Sequence, residues 1–321
     1  MKGTLSTIAM SISLVIYFGL SVYENQAPNS TRKASIEADI TNPANTKSFI
    51  NEFNAKIELL TDKANSYRSP IESEHSIEEL IKDKTEDRSK ELAKSEIKNI
   101  VLVHGAFADG SSYKKLHKEL VGKGYNVTIV QNPLTSLEDD VAATNLALNK
   151  QDGPAILVGH SWGGVVITEA GNHPNVAGLV YISAYQPDKG QSALDMAMMA
   201  APSKENGVLN PDENGIVYYD KTKFHQGFCA DLSKEEANFL FDSQGAFHVK
   251  AFITPVTTAG WKNKPVFGII GTEDKSIDPE SLRTMYARSN TKVTEIKGSH
   301  VVFISHPKEV AAIIIEATKN P

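Results

Sequence analysis

The sequence predicts an α/β fold: a mostly parallel six-stranded sheet with helices on both faces and a helical cap inserted above the strand ends. Three observations predict it. Apolar runs of strand length recur at residues 100–103, 127–130, 155–158, 177–182, 266–270 and 293–296. Unbroken apolar strands belong to sheets covered on both sides. Helix-like stretches separate them, at residues 113–121, 137–148, 164–170, 279–288 and 307–317, which is the alternation that parallel crossovers require. The alternation breaks at about 186–264, where short helical patterns follow one another without an evident sheet strand. That interval reads as the cap.

Composition narrows the function classes. A chain of 321 residues is long enough to bury one large core or two ordinary ones. Its net charge of −6 gives no reason to expect a nucleic-acid partner. The single cysteine, Cys229, excludes an intrachain disulfide and a zinc–thiolate cluster. His225 and Cys229 stand four apart, but no second ligand pair accompanies them, so no metal is expected.

Three segments differ in character. Residues 1–23 carry Lys2 followed by an apolar run over 5–23. They read as an export signal, and the run is also nearly long enough for an uncleaved membrane anchor. Either reading places the protein outside the cytoplasm or on its membrane. Residues 24–98 lack glycine and are rich in Lys, Glu, Asp, Ser and Asn. Within them the spacing of Ile50, Phe53, Ile57 and Leu60 predicts one helix face, and Ser76 with Glu79 reads as a capping box. This stretch reads as a polar, partly helical tether, with a docking helical arm as the alternative. Residues 99–321 form the third segment and hold the α/β domain.

The chemistry centres on Ser161. The apolar strand at 155–158 runs into Gly159-His160-Ser161-Trp162-Gly163-Gly164, and a helical pattern follows. A G-x-S-x-G turn between strand and helix projects a strained serine hydroxyl, and glycines two residues to either side avoid collision with the neighbouring backbone. The helix N-terminus favours the negative charge that develops on attack. A serine nucleophile needs a base, and the base needs an orienting carboxylate, in the chain order Ser, acid, His. The strand at 266–270 ends in Gly271-Thr272-Glu273-Asp274, and the strand at 293–296 ends in Lys297-Gly298-Ser299-His300. His300 fits the base; His104, His225, His248 and His306 lie elsewhere in the pattern. Asp274 fits the acid, with Glu273 and Asp278 still in contention. Oxyanion stabilisation takes two backbone N–H groups. Trp162 supplies one, and the turn His104-Gly105-Ala106-Phe107 supplies the other through Ala106, or alternatively Phe107.

The stretch from Val101 to Tyr113, the Gly159–Gly164 turn, Gly271-Thr272-Glu273-Asp274, Lys297-Gly298-Ser299-His300 and Ser305-His306-Pro307 together resemble a group of bacterial α/β-hydrolases related to plant methylesterases and hydroxynitrile lyases. The resemblance covers about residue 99 to the C-terminus. It implies a six-stranded core without the first two strands of the full fold. It also implies Ser161 as nucleophile, Asp274 as acid, His300 as base, and Ala106 and Trp162 as oxyanion donors, with no cofactor. The lyase branch carries a lysine after its histidine and a threonine in the first turn. Val301 and Gly105-Ala106 stand here instead, which argues against cyanohydrin cleavage. The expected reaction is two-step acyl transfer on a small carboxylic ester, the small molecule being the expected partner. Rival expectations are a ligand-binding domain without turnover, or cleavage of amides or C–C bonds. Residues such as Met196, Met199, Phe224 and Phe241 read mostly as the cap's own core, with some lining a substrate pocket.

Overall fold

The computed structural model describes residues 97–320. The expected export or anchor segment and all but the end of the tether therefore lie outside the described residues. Along the chain run β1 (Asn99–Val103), a 3₁₀ turn (Gly110–Tyr113), α1 (Lys114–Val121), β2 (Asn126–Val130), α2 (Leu137–Asn149), β3 (Ala155–His160), α3 (Gly163–Ala170) and β4 (Val176–Ile182). An insertion follows, carrying α4 (Ala193–Ala197), β5 (Ile216–Val217), α5 (Lys221–Phe228), α6 (Lys234–Asp242), β6 (Phe247–His248) and α7 (Val249–Ile253). The chain then completes β7 (Val266–Gly271), α8 (Pro279–Arg288), β8 (Lys292–Ile296), α9 (Val302–Ser305) and α10 (Pro307–Lys319).

The main sheet is six-stranded in the order β2-β1-β3-β4-β7-β8, and every pairing in it is parallel. The predicted α/β fold is therefore present, with all six expected strands in it. Burial explains why they were recognisable. Every residue of β1, β3 and β7 is buried, because α1 and α10 pack together on one side while α2 and α3 pack together on the other. The edge strand β8 reads Lys-Val-Thr-Glu-Ile and is half exposed; its charges discourage pairing with another chain.

Strand order reverses between β1 and β3, since β2 lies on one side of β1 and β3 on the other. Such a switch point leaves a crevice beyond the strands' C-terminal ends. The turns after β1 and β3 therefore meet there. Among the described residues no helix is long and apolar enough to cross a membrane.

The insertion leaves β4 and returns at β7, which is paired to it. The start of the insertion is pinned to the sheet domain, and its two ends are tied to each other. Tyr286 on α8 donates its hydroxyl to the Ala184 carbonyl at 2.9 Å and accepts from the Ala184 N–H at 3.1 Å. Near the other end, the Trp261 indole donates to the Pro187 carbonyl at 2.8 Å. Within the insertion β5 and β6 form an antiparallel ribbon, Val217 opposite Phe247. The sequence pattern showed no strand here, because two-residue strands are too short for any periodicity to register.

Candidate active site

The turn between β3 and α3 presents Ser161 with φ 54°, a left-handed backbone that a serine adopts only under constraint. The glycines on either side explain how the turn closes. A side chain at Gly163 would bring its Cβ within 2.4 Å of the Val103 carbonyl oxygen, and one at Gly159 would meet the Gly163 carbonyl oxygen at 2.5 Å. Both clashes are with backbone, which cannot give way as a side chain can. Gly163→Ala is therefore expected to lower unfolding stability by about 3 kcal/mol, measurable as an earlier urea midpoint.

The turn after β1 packs directly on the serine, since a Cβ at Gly105 would lie 2.7 Å from the Ser161 Cβ. His104 is locked beneath it. Its Nε2 accepts from the Asn132 N–H at 2.9 Å, which leaves Nδ1–H to donate to the Gly105 carbonyl at 2.9 Å. Burial holds this imidazole below its ordinary pKa, consistent with a neutral ring. Phe107 on this turn also has a left-handed backbone, φ 57°. Among the described residues neither the Ala106 nor the Trp162 backbone N–H donates a hydrogen bond. Both residues line the same cavity as Ser161.

The other two strand ends bring a carboxylate to an imidazole. The loop after β7 is laced to the loop after β8 by Thr272 N–H to the Ile296 carbonyl at 2.9 Å and Glu273 N–H to the Gly298 carbonyl at 3.0 Å. Asp274 Oδ2 then lies 2.7 Å from His300 Nδ1, with both side chains buried. Asp274 Oδ1 accepts from the N–H groups of Ser276 at 2.8 Å and Ile277 at 3.0 Å. With Nδ1–H committed to the carboxylate, Nε2 is the free ring nitrogen of His300, whose side chain lines the cavity with Ser161. The neighbouring acids point elsewhere: Glu273 pairs with Lys297 at 3.7 Å, and Asp278 caps α8. The other candidate histidines, His225, His248 and His306, have structural partners. His225 Nε2–H donates to the Leu232 carbonyl, His248 caps α7, and His306 meets the Ser305 hydroxyl. Among the described residues no group of three His, Cys, Asp or Glu side chains could hold a metal ion.

Three polar groups at the site were not singled out by the sequence. His160 donates through Nε2–H to the His300 carbonyl at 3.0 Å, and its ring centroid lies 4.7 Å from that of His300. Burial, then the adjacent His300, holds its pKa well below the ordinary value, so it is a neutral prop. Asp231, just beyond α5, accepts from the Ser299 N–H at 2.9 Å and the Ser305 hydroxyl at 2.7 Å. It ties the insertion to the loop that carries His300. Burial raises its pKa, but these hydrogen bonds outweigh burial and hold it below the usual carboxylate value. Asp140 on α2 accepts from the Trp162 indole N–H at 2.7 Å. Burial lifts its carboxyl to about 6, against the pull of the Trp162 and Leu134 donors.

Ala106, Ser161, Trp162, Asp274 and His300 border a cavity of about 720 Å³. The insertion supplies much of its wall, including Met196, Val217, Phe228, Phe247 and Phe252. At its mouth Leu194, Met198, Val208, Leu209 and Ile253 are exposed to solvent.

Comparison with known proteins agrees with this architecture. Residues 100–313 match the model of the alpha/beta hydrolase family, the same part of the chain that carried the resemblance in the sequence. Probable hydrolase R7 of Phoma sp. is 29% identical over 198 residues, which is 56% of this chain and 79% of that protein. Norfluorocurarine synthase 2 of Strychnos sp. is 27% identical over 272 residues, covering 71% of this chain and 97% of its relative. The crystal structure of a pyrethroid hydrolase from Sphingobium faniae JZ-2 shares the fold, with a TM-score of 0.60 at 21% identity over 70% of this chain and 98% of that one. On the strength of the family match, this chain belongs to the alpha/beta hydrolase family.

Proposed function

We propose that the protein is a serine hydrolase of the carboxylesterase type, cleaving a small carboxylic ester through an acyl-enzyme intermediate. The observation that carries this reading is the buried Asp274–His300 pair at 2.7 Å, whose imidazole opens onto the same cavity as Ser161. His300 Nε2 takes the Ser161 hydroxyl proton as Oγ attacks the ester carbonyl. The backbone N–H groups of Ala106 and Trp162 receive the developing oxyanion. His300 then protonates the departing alcohol, and a water activated by the same nitrogen releases the acid.

The cavity supports an uncharged substrate with an apolar acyl or alcohol group. Apart from the Asp274–His300 pair, Lys275 and Asp278 are the charged residues on its wall, and the mouth is ringed by exposed aliphatic side chains. A fluorophosphonate probe is expected to label the full-length protein once, at Ser161. In a p-nitrophenyl ester series, kcat/KM is expected to rise from acetate to longer acyl chains. A protein that stays unlabelled and inert towards every ester would instead be a ligand-binding relative without turnover. Labelling with amidase activity alone would move the reaction to another bond.

A further inference from the structure

Asp140, in the first turn of α2, is completely buried and has no part in the proton transfers proposed above. Removing a carboxylate from water is unfavourable unless donors meet its lone pairs. Two N–H groups from outside its helix do so. Oδ2 accepts from the Trp162 indole and Oδ1 from the Leu134 N–H, each at 2.7 Å.

Both donors belong to the framework of the site. Trp162 immediately follows Ser161, and its ring rests against Phe247 of the insertion's ribbon with centroids 5.4 Å apart. Leu134 has φ 61°, and its carbonyl accepts from the His248 N–H of the same ribbon at 2.9 Å. One carboxylate thus holds the side chain after the serine and the turn on which the ribbon hangs.

The left-handed backbone at Ser161 persists only if its surroundings over-determine it. The Trp162 side chain provides such a constraint, held by a hydrogen bond at the indole nitrogen and by ring packing at its face. Among the described residues its backbone N–H donates no hydrogen bond, and the residue lines the cavity. Resting on the serine-hydrolase reading, we infer that Asp140 is a positioning residue that acts through the Trp162 indole to fix the Trp162 N–H where the oxyanion forms. A displaced oxyanion donor weakens the transition state more than the bound substrate. Loss of the link therefore lowers kcat and leaves KM in place.

Two substitutions and their combination test this. Asp140→Asn keeps the shape, but its amide NH₂ must face one of the two N–H donors. Trp162→Phe removes the indole donor and keeps the backbone N–H. Each is expected to lower kcat about 10-fold with KM changed less than about twofold. Affinity for an alkyl boronic acid, which forms a tetrahedral adduct on Ser161, falls by the same factor. The double variant is no slower than the slower single one, because both break one link. Losses that multiply in the double variant, or single variants that unfold earlier while keeping kcat and boronate affinity, overturn the inference. If Asp140→Asn does not fold, Trp162→Phe decides alone, and wild-type kcat and boronate affinity there overturn it. A fully active Ser161→Ala would instead overturn the serine-hydrolase reading on which the inference rests.

Discussion

Ser161→Ala is expected to reduce kcat for p-nitrophenyl acyl esters by roughly 10⁵–10⁶-fold, the scale on which removal of a triad serine acts. The change deletes one oxygen atom and adds no volume. Alanine at this position keeps the left-handed φ of 54° at a strain similar to that of serine. The glycine contacts that close the turn are backbone contacts and are untouched. The thermal midpoint is therefore expected within a few degrees of wild type, and circular dichroism is expected to overlay. Residual turnover should reflect binding and the oxyanion donors alone. Activity within tenfold of wild type, in a folded sample free of wild-type contamination, would falsify Ser161 as nucleophile.

Asp274→Asn is expected to lower kcat by about 10⁴-fold near neutral pH. The side chain is nearly isosteric, so Oδ1 can go on accepting from the Ser276 and Ile277 N–H groups. What changes is the atom facing His300 Nδ1 at 2.7 Å. An amide NH₂ there donates, so Nδ1 becomes the acceptor and the ring proton moves to Nε2, the nitrogen that must accept from Ser161. The base is then blocked by its own tautomer, and the imidazolium formed on attack loses its carboxylate. Substrate binding does not use this oxygen, so KM should stay within a few-fold. A loss no larger than tenfold would show that Asp274 is not the orienting acid.

The fold and the site were legible in the sequence to different depths. The strands stood out because β1, β3 and β7 are buried on both faces, which forces continuous apolar runs. The turn at Ser161 stood out because backbone contact at Gly159 and Gly163 leaves room for glycine alone. Between Glu273 and Asp274 the sequence favoured Asp274, but composition alone could not settle the choice. One residue decides which carboxylate faces the next strand, and that depends on the turn closed by Asp274 N–H to the Gly271 carbonyl. Asp140 was hidden for another reason. It follows Glu138 and Asp139 in the first turn of α2, where acids are expected for the helix dipole whatever else they do. Asp231 and Ser299 are 68 residues apart, and no local pattern reports a contact at that separation.

The insertion begins and ends on strands that are already paired, β4 and β7. The entropy of closing a loop grows only with the logarithm of its length, about 0.6 kcal/mol for each doubling. The sheet therefore works as a socket: the segment between its two neighbouring lips can be lengthened, trimmed or exchanged with little penalty to the scaffold. A transplanted segment must still provide a carboxylate for the Ser299 N–H and Ser305 hydroxyl, as Asp231 does here. With that grip kept, selectivity can be regrafted while the bond-breaking apparatus stays in place.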